Sequence, residues 1–414
     1  MNICLFTPQF PPYSIDGGVG HYVRALAEGY ASRGHLVTVC GIDIHPPGHL
    51  AHPWGRSVSL AMPSSIKRGL WPAVLGGVNR LLPAGGLGMR VSVKAMIVHS
   101  WHQYMSRMLF SWAVSQGERF DIVEAPNWAA YTAEFPRQRP WPVVVRLSSP
   151  ASECKGWVPE EIQFESRACA NADLVISNTH ANLDNCRHAY GIPLEHAVVI
   201  HHGIDDVAPQ EVSRSRETID FLSLARVESR KGLDILTEAV AVVLSRSAAC
   251  TFTFLGTTRE QFQAAYPTID SQVFGAAPNA AQRVRFLGKV SEAEKLRCYA
   301  RSHYVLVPSR YESFCLVAVE ALRAGTPFVG APVGGLGEVA RYSPSSSLVR
   351  SNTFQDWTVK LLELAAGGPA EAELRRPDAR ADYERQFCSA RMIDESIAAY
   401  RNLVQRLSYD SVRS

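Results

Sequence analysis

Short apolar runs of strand length alternate with segments of helical periodicity, break off at a polar stretch near residue 208, and then begin again. The first run is 2–7. A turn-rich stretch holding Pro11-Pro12 and Gly17-Gly18 follows it. Tyr22, Val23, Leu26 and Ala27 then recur at helical spacing, Gly34 closes that helix, and 35–40 reads as a second strand. A βαβ start of this kind implies a parallel sheet. Runs at 120–124, 142–146, 174–177 and 198–200 read as further strands, with a helix ending near Asn171. The polar segment 208–218, which contains Pro209, reads as a linker. After it come strands at 219–224, 251–255, 284–287, 304–307 and 327–329, with a helix over 233–244. The chain is therefore expected to be α/β, with two facing Rossmann-like, doubly wound domains, 1–207 and 208–388. Ligand is expected between them, where strand C-termini and helix N-termini supply binding groups. The tail 389–414 reads as a C-terminal helix. Its Ile393, Ile397, Tyr400, Val404 and Leu407 line one face, which is expected to pack back on the N-terminal domain.

A length of 414 residues agrees with two domains. The net charge of +3 does not call for a nucleic-acid partner, and no recognised nucleic-acid motif occurs. Nine cysteines are scattered without CxxC or zinc-finger spacing, which points to reduced thiols, a cytoplasmic location and no metal site. Residues 1–8 lack the basic start and long apolar core of a signal peptide, and no run of about 18 apolar residues offers a transmembrane helix.

The block most charged with chemistry follows the strand 304–307. It reads Pro308-Ser-Arg-Tyr-Glu312-Ser313-Phe314-Cys315-Leu316-Val-Ala-Val-Glu320, then Ala321-Leu-Arg-Ala-Gly325-Thr-Pro327. As a strand–loop–helix unit it places Glu312 in the loop and Glu320 about two turns into the helix. The amides of Phe314, Cys315 and Leu316 fall at the helix start, where unpaired N–H groups and the helix dipole favour a phosphate or an electron-rich sugar. A glutamate in such a loop can accept hydrogen bonds from sugar hydroxyls, and the second can do the same for a ribose. Taken alone, the two read equally as a surface acid and a helix charge. Arg226-Val-Glu-Ser-Arg-Lys231-Gly232 follows the strand 219–224 and opens a helix. A forked donor and a compact charge five residues apart suit a diphosphate, and Gly232 lets the backbone come close.

Together these segments resemble the retaining glycosyltransferases of family 4, which have the GT-B fold. The resemblance rests on Arg-x4-Lys-Gly after a strand and on Glu-x7-Glu within Glu-Ser-Phe-x-Leu-x3-Glu-Ala-Leu-x-Ala-Gly-Thr-Pro. It extends to Gly334-Gly335-Leu-Gly-Glu338, to Gly17-Gly18-Val-Gly20 after the first strand, and to His202-Gly203-Ile204-Asp205. It implies that Arg226 and Lys231 bind the donor diphosphate, that Glu312 and the Ser313–Leu316 turn hold the transferred sugar, and that Glu320 binds the ribose. Gly17 and Gly18 would form a loop near the donor phosphates and the acceptor. Glu312, Arg226 and Lys231 would carry the catalysis, stabilising the diphosphate as charge builds on it. It implies no metal and no separate cofactor, and no Asp-x-Asp motif occurs. The sequence departs from the family in two places. Where members often carry a histidine after the strand here at 142–146, this chain has Ser148-Ser149-Pro150, which then stand on the sugar or acceptor side. The glycine usual between Phe and Leu is Cys315, whose side chain either faces the sugar or packs.

From 44 to 117 no Asp or Glu occurs, while Arg56, Lys67, Arg68, Arg80, Arg90, Lys94 and Arg107 interleave with Trp54, Trp71, Met89 and Trp101. Such a mix can lie on an anionic membrane surface or hold an anionic, lipid-linked acceptor; the plainer reading is a partly disordered or locally packed insertion with solvated charges. The expected function is transfer of a sugar from a nucleoside-diphosphate sugar to a glycan, lipid-linked or small-molecule acceptor by a cytoplasmic enzyme, at most peripheral to the membrane. Alternatives are a nucleotide-sugar hydrolase or epimerase of the same fold, or a catalytically weak sugar-nucleotide-binding protein. A Rossmann dehydrogenase is disfavoured, since no Gly-x-Gly-x-x-Gly follows the first strand.

Overall fold

The apolar runs are buried on both faces, as parallel strands covered by helices must be. In the computed structural model, which describes residues 1–11, 18–62, 87–116, 120–153, 159–208, 210 and 212–413, the chain divides into two units. One is Met1–His201 with Ser389–Ser414, the other His202–Cys388.

The first unit holds one sheet ordered β3-β4-β2-β1-β5-β6-β7-β8. Its strands are β1 Asn2–Phe6, β2 Leu36–Ile42, β3 Gly48–His52, β4 Gly55–Leu60, β5 Ile122–Pro126, β6 Val143–Leu147, β7 Leu174–Ser177 and β8 Ala197–Val199. Around it lie α1 (Gly18–Ser32), α2 (Leu87–Ser115), α3 (Pro159–Asn171) and α4 (His180–Tyr190). The side-chain alternation of the strands splits the core in two. Ile3, Leu5, Val39, Ile122, Val144 and Ile176 share a buried cluster with Leu26 and Tyr30 of α1. Cys4, Phe6, Val123, Val143 and Val145 share the other with Leu109 of α2 and Phe164 of α3.

The second unit is a parallel sheet ordered β11-β10-β9-β12-β13-β14. Its strands are β9 Ile219–Leu224, β10 Cys250–Leu255, β11 Val284–Gly288, β12 Tyr304–Val307, β13 Phe328–Gly330 and β14 Ser347–Leu348. Its helices are α5 (Leu233–Arg246), α6 (Arg259–Ala265), α7 (Pro267–Gly275), α8 (Ala280–Arg283), α9 (Glu292–Arg301), α10 (Leu316–Arg323), α11 (Gly334–Arg341) and α12 (Phe354–Gln386). The last is broken at Gly368, where φ is 73° and Pro369 follows.

The tail helix α13, Ser389–Arg413, belongs to the first unit. Met392, Ile393, Ile397, Tyr400 and Leu403 enter the cluster lined by α1, with Val404 and Leu407 packed at its margin. The two helices touch closely at Gly29, where a Cβ would lie 1.9 Å from Ile393 Cδ1. Beneath them Arg146 of β6 pairs with Glu124 of β5 at 2.9 Å, in a buried cluster closed by Tyr400 and Ser396.

Two features depart from the sequence reading. The described parts of the acid-free stretch hold regular elements that the sequence reading did not assign: β3 and β4 form an antiparallel hairpin in it, β4 runs parallel to β2, and α2 occupies its end. Lys67, Arg68 and Arg80 lie outside the described residues. The units part at His201/His202, ahead of 207/208, because 204–206 is tied to the second unit. The Ile204 N–H donates to Phe387 O (3.0 Å), Arg323 donates to Asp205 O (2.9 Å), and Arg380 donates to Asp206 (2.8 Å).

Candidate functional site

In the second unit the chain order reverses between the neighbouring strands β9 and β12. In doubly wound sheets the crevice at the C-terminal ends of two such strands is where ligands bind. The segments that leave those ends, 225–232 and 308–315, carry most of the predicted site. They pass in contact because residue 232 has no side chain. Gly232 has φ 64°, and a Cβ there would lie 1.9 Å from Pro308 O. Arg310 stitches them further: its N–H donates to Arg230 O (2.7 Å) and its guanidinium to Ser229 O (2.6 Å) and Asp234 (2.7 Å). Lys231 Nζ thereby reaches Glu312, donating to Oε1 at 2.7 Å, and Ser309 Oγ donates to the same oxygen at 2.8 Å. Arg230 Nη1 stands 3.8 Å from Oε2. Arg226 differs: its side chain is 74% exposed and pairs with Glu228 at 2.9 Å. It reaches toward solvent while Lys231 holds the carboxylate.

The Glu312–Leu316 turn is moulded by Gly334 and Gly335. A Cβ at Gly334 would lie 2.5 Å from Glu312 O, one at Gly335 would lie 2.1 Å from Ser313 O, and the Gly335 N–H donates to Glu312 O at 2.8 Å. The glycine pair is visible in the sequence, but its contact with the Glu312 turn is not. The turn ends at Cys315, with φ 94° and ψ 78° as it caps α10. That backbone form is one that glycine adopts freely and other residues rarely do. The Cys315 side chain is buried with Phe314, Leu222 and Leu336. Burial pushes its thiol up and keeps it neutral. Leu316 is the first residue of α10, next to Ser313 and Phe314, and Phe314 stacks edge-on against His202 at 5.1 Å.

Because α10 starts at Leu316, Glu320 lies little more than one turn into it, not two. Two residues of α9 that the sequence reading missed hold it. Lys295 Nζ donates to Oε1 at 3.1 Å and the Tyr299 hydroxyl to Oε2 at 2.7 Å. Tyr299 is fully buried; burial first, and Glu320 beside it second, push its hydroxyl well up. Lys295 and Tyr299 are four apart on one helix. That spacing shows only that they share a face and names no partner some 20–25 residues away.

In the first unit Gly17 lies outside the described residues and Gly18 is the first residue of α1. Ser148 follows β6 and is held firmly. Its N–H and its hydroxyl both donate to Asn127 Oδ1, at 2.7 and 2.8 Å, and its carbonyl accepts from Asn182 Nδ2 at 3.2 Å. Ser149 is the half-buried residue beyond it. Among the described residues no group of three or more His, Cys, Asp or Glu could hold a metal ion.

Residues 17–203 match the family described as Glycosyl transferase 4-like domain, and residues 218–366 the family described as Glycosyl transferases group 1. The chain is a group 1 glycosyltransferase. The glycosyltransferase is 27% identical over 309 residues to D-inositol 3-phosphate glycosyltransferase 1 of Catenulispora acidiphila, covering 69% of this chain and 73% of that one. It is 26% identical over 357 residues to the glycogen synthase of Mycobacterium tuberculosis, covering 82% and 80%. Its fold is similar to that of Anabaena HepE, solved in complex with UDP-glucose, at a TM-score of 0.63 and 18% identity over 99% of this chain and 100% of that one. The two parallel-sheet Rossmann-like units are those of the GT-B fold. Among its described residues the glycosyltransferase has no helix long and apolar enough to cross a membrane.

Proposed function

We propose that this glycosyltransferase moves a hexosyl unit from a nucleoside-diphosphate hexose to a hydroxyl of a glycan, lipid-linked or small-molecule acceptor, with retention at the anomeric carbon and without a metal ion. The observation that carries this reading is the meeting of Lys231 and Glu312 across the β9/β12 reversal, with Glu320 held on α10, the helix that follows the Glu312 turn. Arg226 and Lys231 receive the diphosphate. Glu312 and the Ser313–Leu316 turn receive the hexose, and Glu320 the ribose hydroxyls. The family resemblance assigns Ser148, Ser149, Gly17 and Gly18 to the sugar and acceptor side.

In the reaction the bond from the anomeric carbon to the diphosphate oxygen breaks, and its electron pair stays on that oxygen. The acceptor oxygen bonds the same carbon from the same face, and its proton passes to the departing diphosphate. The cations and oriented amides are in place before charge develops, so they stabilise the departing group without reorganising. Two cations and a helix N-terminus supply what a divalent ion supplies elsewhere, which is the reason for proposing metal independence. UDP-glucose bound to HepE supports a nucleoside-diphosphate hexose as donor.

The experiment is a thermal-shift screen of UDP-, ADP- and GDP-hexoses, followed by turnover in excess EDTA and assignment of the product anomer. Turnover of one donor in EDTA, with the donor's anomeric configuration kept, is expected. Loss on chelation with recovery on Mn²⁺ or Mg²⁺ overturns the metal-free part, and an inverted product overturns retention.

A further inference from the structure

Behind Ser148 runs a buried chain of hydrogen bonds that the donor site does not use. Asn127, fully buried, follows β5, and its N–H donates to Arg146 O of β6 at 3.0 Å. Its Nδ2 donates to Tyr190 Oη at 2.7 Å, and Tyr190 Oη donates to Glu165 Oε2 at 3.0 Å. The Ala151 N–H donates to that same oxygen at 3.0 Å, so Glu165 holds both ends of the turn that begins at Ser148. Glu165 is 1% exposed, and its other oxygen, Oε1, is buried without a partner among the described residues.

The direction of this chain is forced. The Ser148 N–H can only donate, so Asn127 must turn its carbonyl oxygen to it and its NH₂ to Tyr190. Tyr190 Oη, having accepted from the amide, must pass its own proton onward. The group at the far end must accept, and Glu165 does. Reversing any link would set donor against donor at Ser148. A carboxylic side chain left with one buried oxygen unpaired is costly, and a packing role alone would be filled better by an apolar residue.

We propose that Glu165, Tyr190 and Asn127 are positioning residues that fix the Ser148–Ala151 turn for sugar transfer, with Glu165 setting the polarity of the chain. Ser148 then acts as the anchored end of the turn and not as a reacting hydroxyl. This rests on the reading that the turn lies on the sugar and acceptor side. It gives a physical use to Ser148, whose N–H and hydroxyl share one acceptor and lock the turn.

The test uses Tyr190→Phe, Glu165→Leu and Glu165→Gln in the full chain. Gln keeps an acceptor oxygen toward Tyr190 and Ala151, so it should behave like the wild type. The other two break the chain. Hydrogen exchange followed by mass spectrometry should show the 147–151 amides exchanging at least tenfold faster in Tyr190→Phe and Glu165→Leu, and unchanged in Glu165→Gln. Turnover is read on whichever of UDP-, ADP- and GDP-glucose the wild type consumes fastest. It should fall about tenfold in the same two variants while the affinity for the matching nucleoside diphosphate holds. Unchanged exchange in Tyr190→Phe overturns the proposal even where Glu165→Leu fails to fold. Ser149→Trp separates the proposal from the reading beneath it. If Ser149→Trp stops turnover but the loosened variants do not lose it, the positioning role is wrong. If Ser149→Trp also turns over normally, the turn is not on the reacting side and the underlying reading falls.

Discussion

Lys231 Nζ donates to Glu312 Oε1 at 2.7 Å, joining the loop after β9 to the loop after β12 across the point where strand order reverses. A cation assigned to the diphosphate and a carboxylate assigned to the hexose therefore neutralise each other before donor arrives. Donor binding must divide them, with phosphate oxygens competing for Lys231. Lys231→Ala should weaken nucleoside-diphosphate binding by ~1.5–3 kcal/mol, the usual worth of a charge-assisted hydrogen bond. It should also lower Tm, because the Glu312 side chain, only 9% exposed, loses its nearest cation. Glu312→Ala should leave nucleoside-diphosphate affinity unchanged or tighter, since Lys231 is released, while weakening the intact donor. Calorimetry with both ligands reads the difference, and equal damage to both by Glu312→Ala would reverse the assignment.

Glu320 should behave otherwise. Its oxygens are held by Lys295 and Tyr299, and the ribose proposed as its partner is carried by bare nucleoside diphosphate and intact donor alike. Glu320→Ala is expected to weaken the two ligands by the same amount. Tyr299→Phe should cost less, because Lys295 still holds one carboxylate oxygen. A Glu320→Ala protein with unaltered affinity for both would show the glutamate to be structural.

Gly335→Ala should damage catalysis without touching a charged group. The new Cβ would lie 2.1 Å from Ser313 O, which forces the turn carrying Glu312 to move. A drop in turnover of about tenfold or more is expected, since misplacement by about 1 Å costs as much as a hundredfold in rate. Gly337→Ala is the control, because nothing lies within 4 Å of a Cβ at that position. Similar kinetics for the two variants would show that the glycine pair does not shape the site.

Burial, opposed by hydrogen bonds from Ala151 and Tyr190, pushes the Glu165 carboxyl up from 4.5 to about 7. The folded state thus favours the protonated form. The stability this provides is complete below about pH 4.5 and is lost as pH rises through about 7. Glu165→Gln, which carries no charge, should gain on the wild type across that interval by roughly 3 kcal/mol at most. Melting temperatures of the two proteins from pH 5 to 8 give the difference directly; a gap that stays flat or narrows with pH contradicts the raised value.

The acid-free stretch yields a surface prediction. Arg107 on α2 is exposed, and 44–117 contains no carboxylate to offset it. The protein is expected to co-sediment with anionic vesicles and to leave them as salt is raised, since such attraction is screened over about 10 Å at 0.1 M. Indifference to lipid charge would favour the packed-insertion reading.

What the sequence determined by itself was what local chemistry can encode. Apolar runs such as 2–7, 219–224 and 304–307 had to be buried strands, and the restart after 208 had to be a second sheet. Arg226, Lys231 and Glu312 stood out because loops between such strands and helices carry residues that contribute nothing to a core, and Glu320 stood out by its spacing from Glu312. The periodic face of α13 was legible for the same reason, since Ile393, Ile397 and Tyr400 repeat at helical spacing. The hairpin of β3 and β4 was hidden because its pairing partner, β2, lies outside the stretch itself. Only the tertiary structure decided which groups meet. Lys231 finds Glu312 across 81 residues, Glu320 finds Tyr299 on another helix, and Asn127, Tyr190 and Glu165 assemble from a loop and two helices. The physical reason is that a hydrogen bond or ion pair depends on distance and direction in space. Sequence spacing fixes these within one helix or strand and leaves them open between elements that the fold brings together.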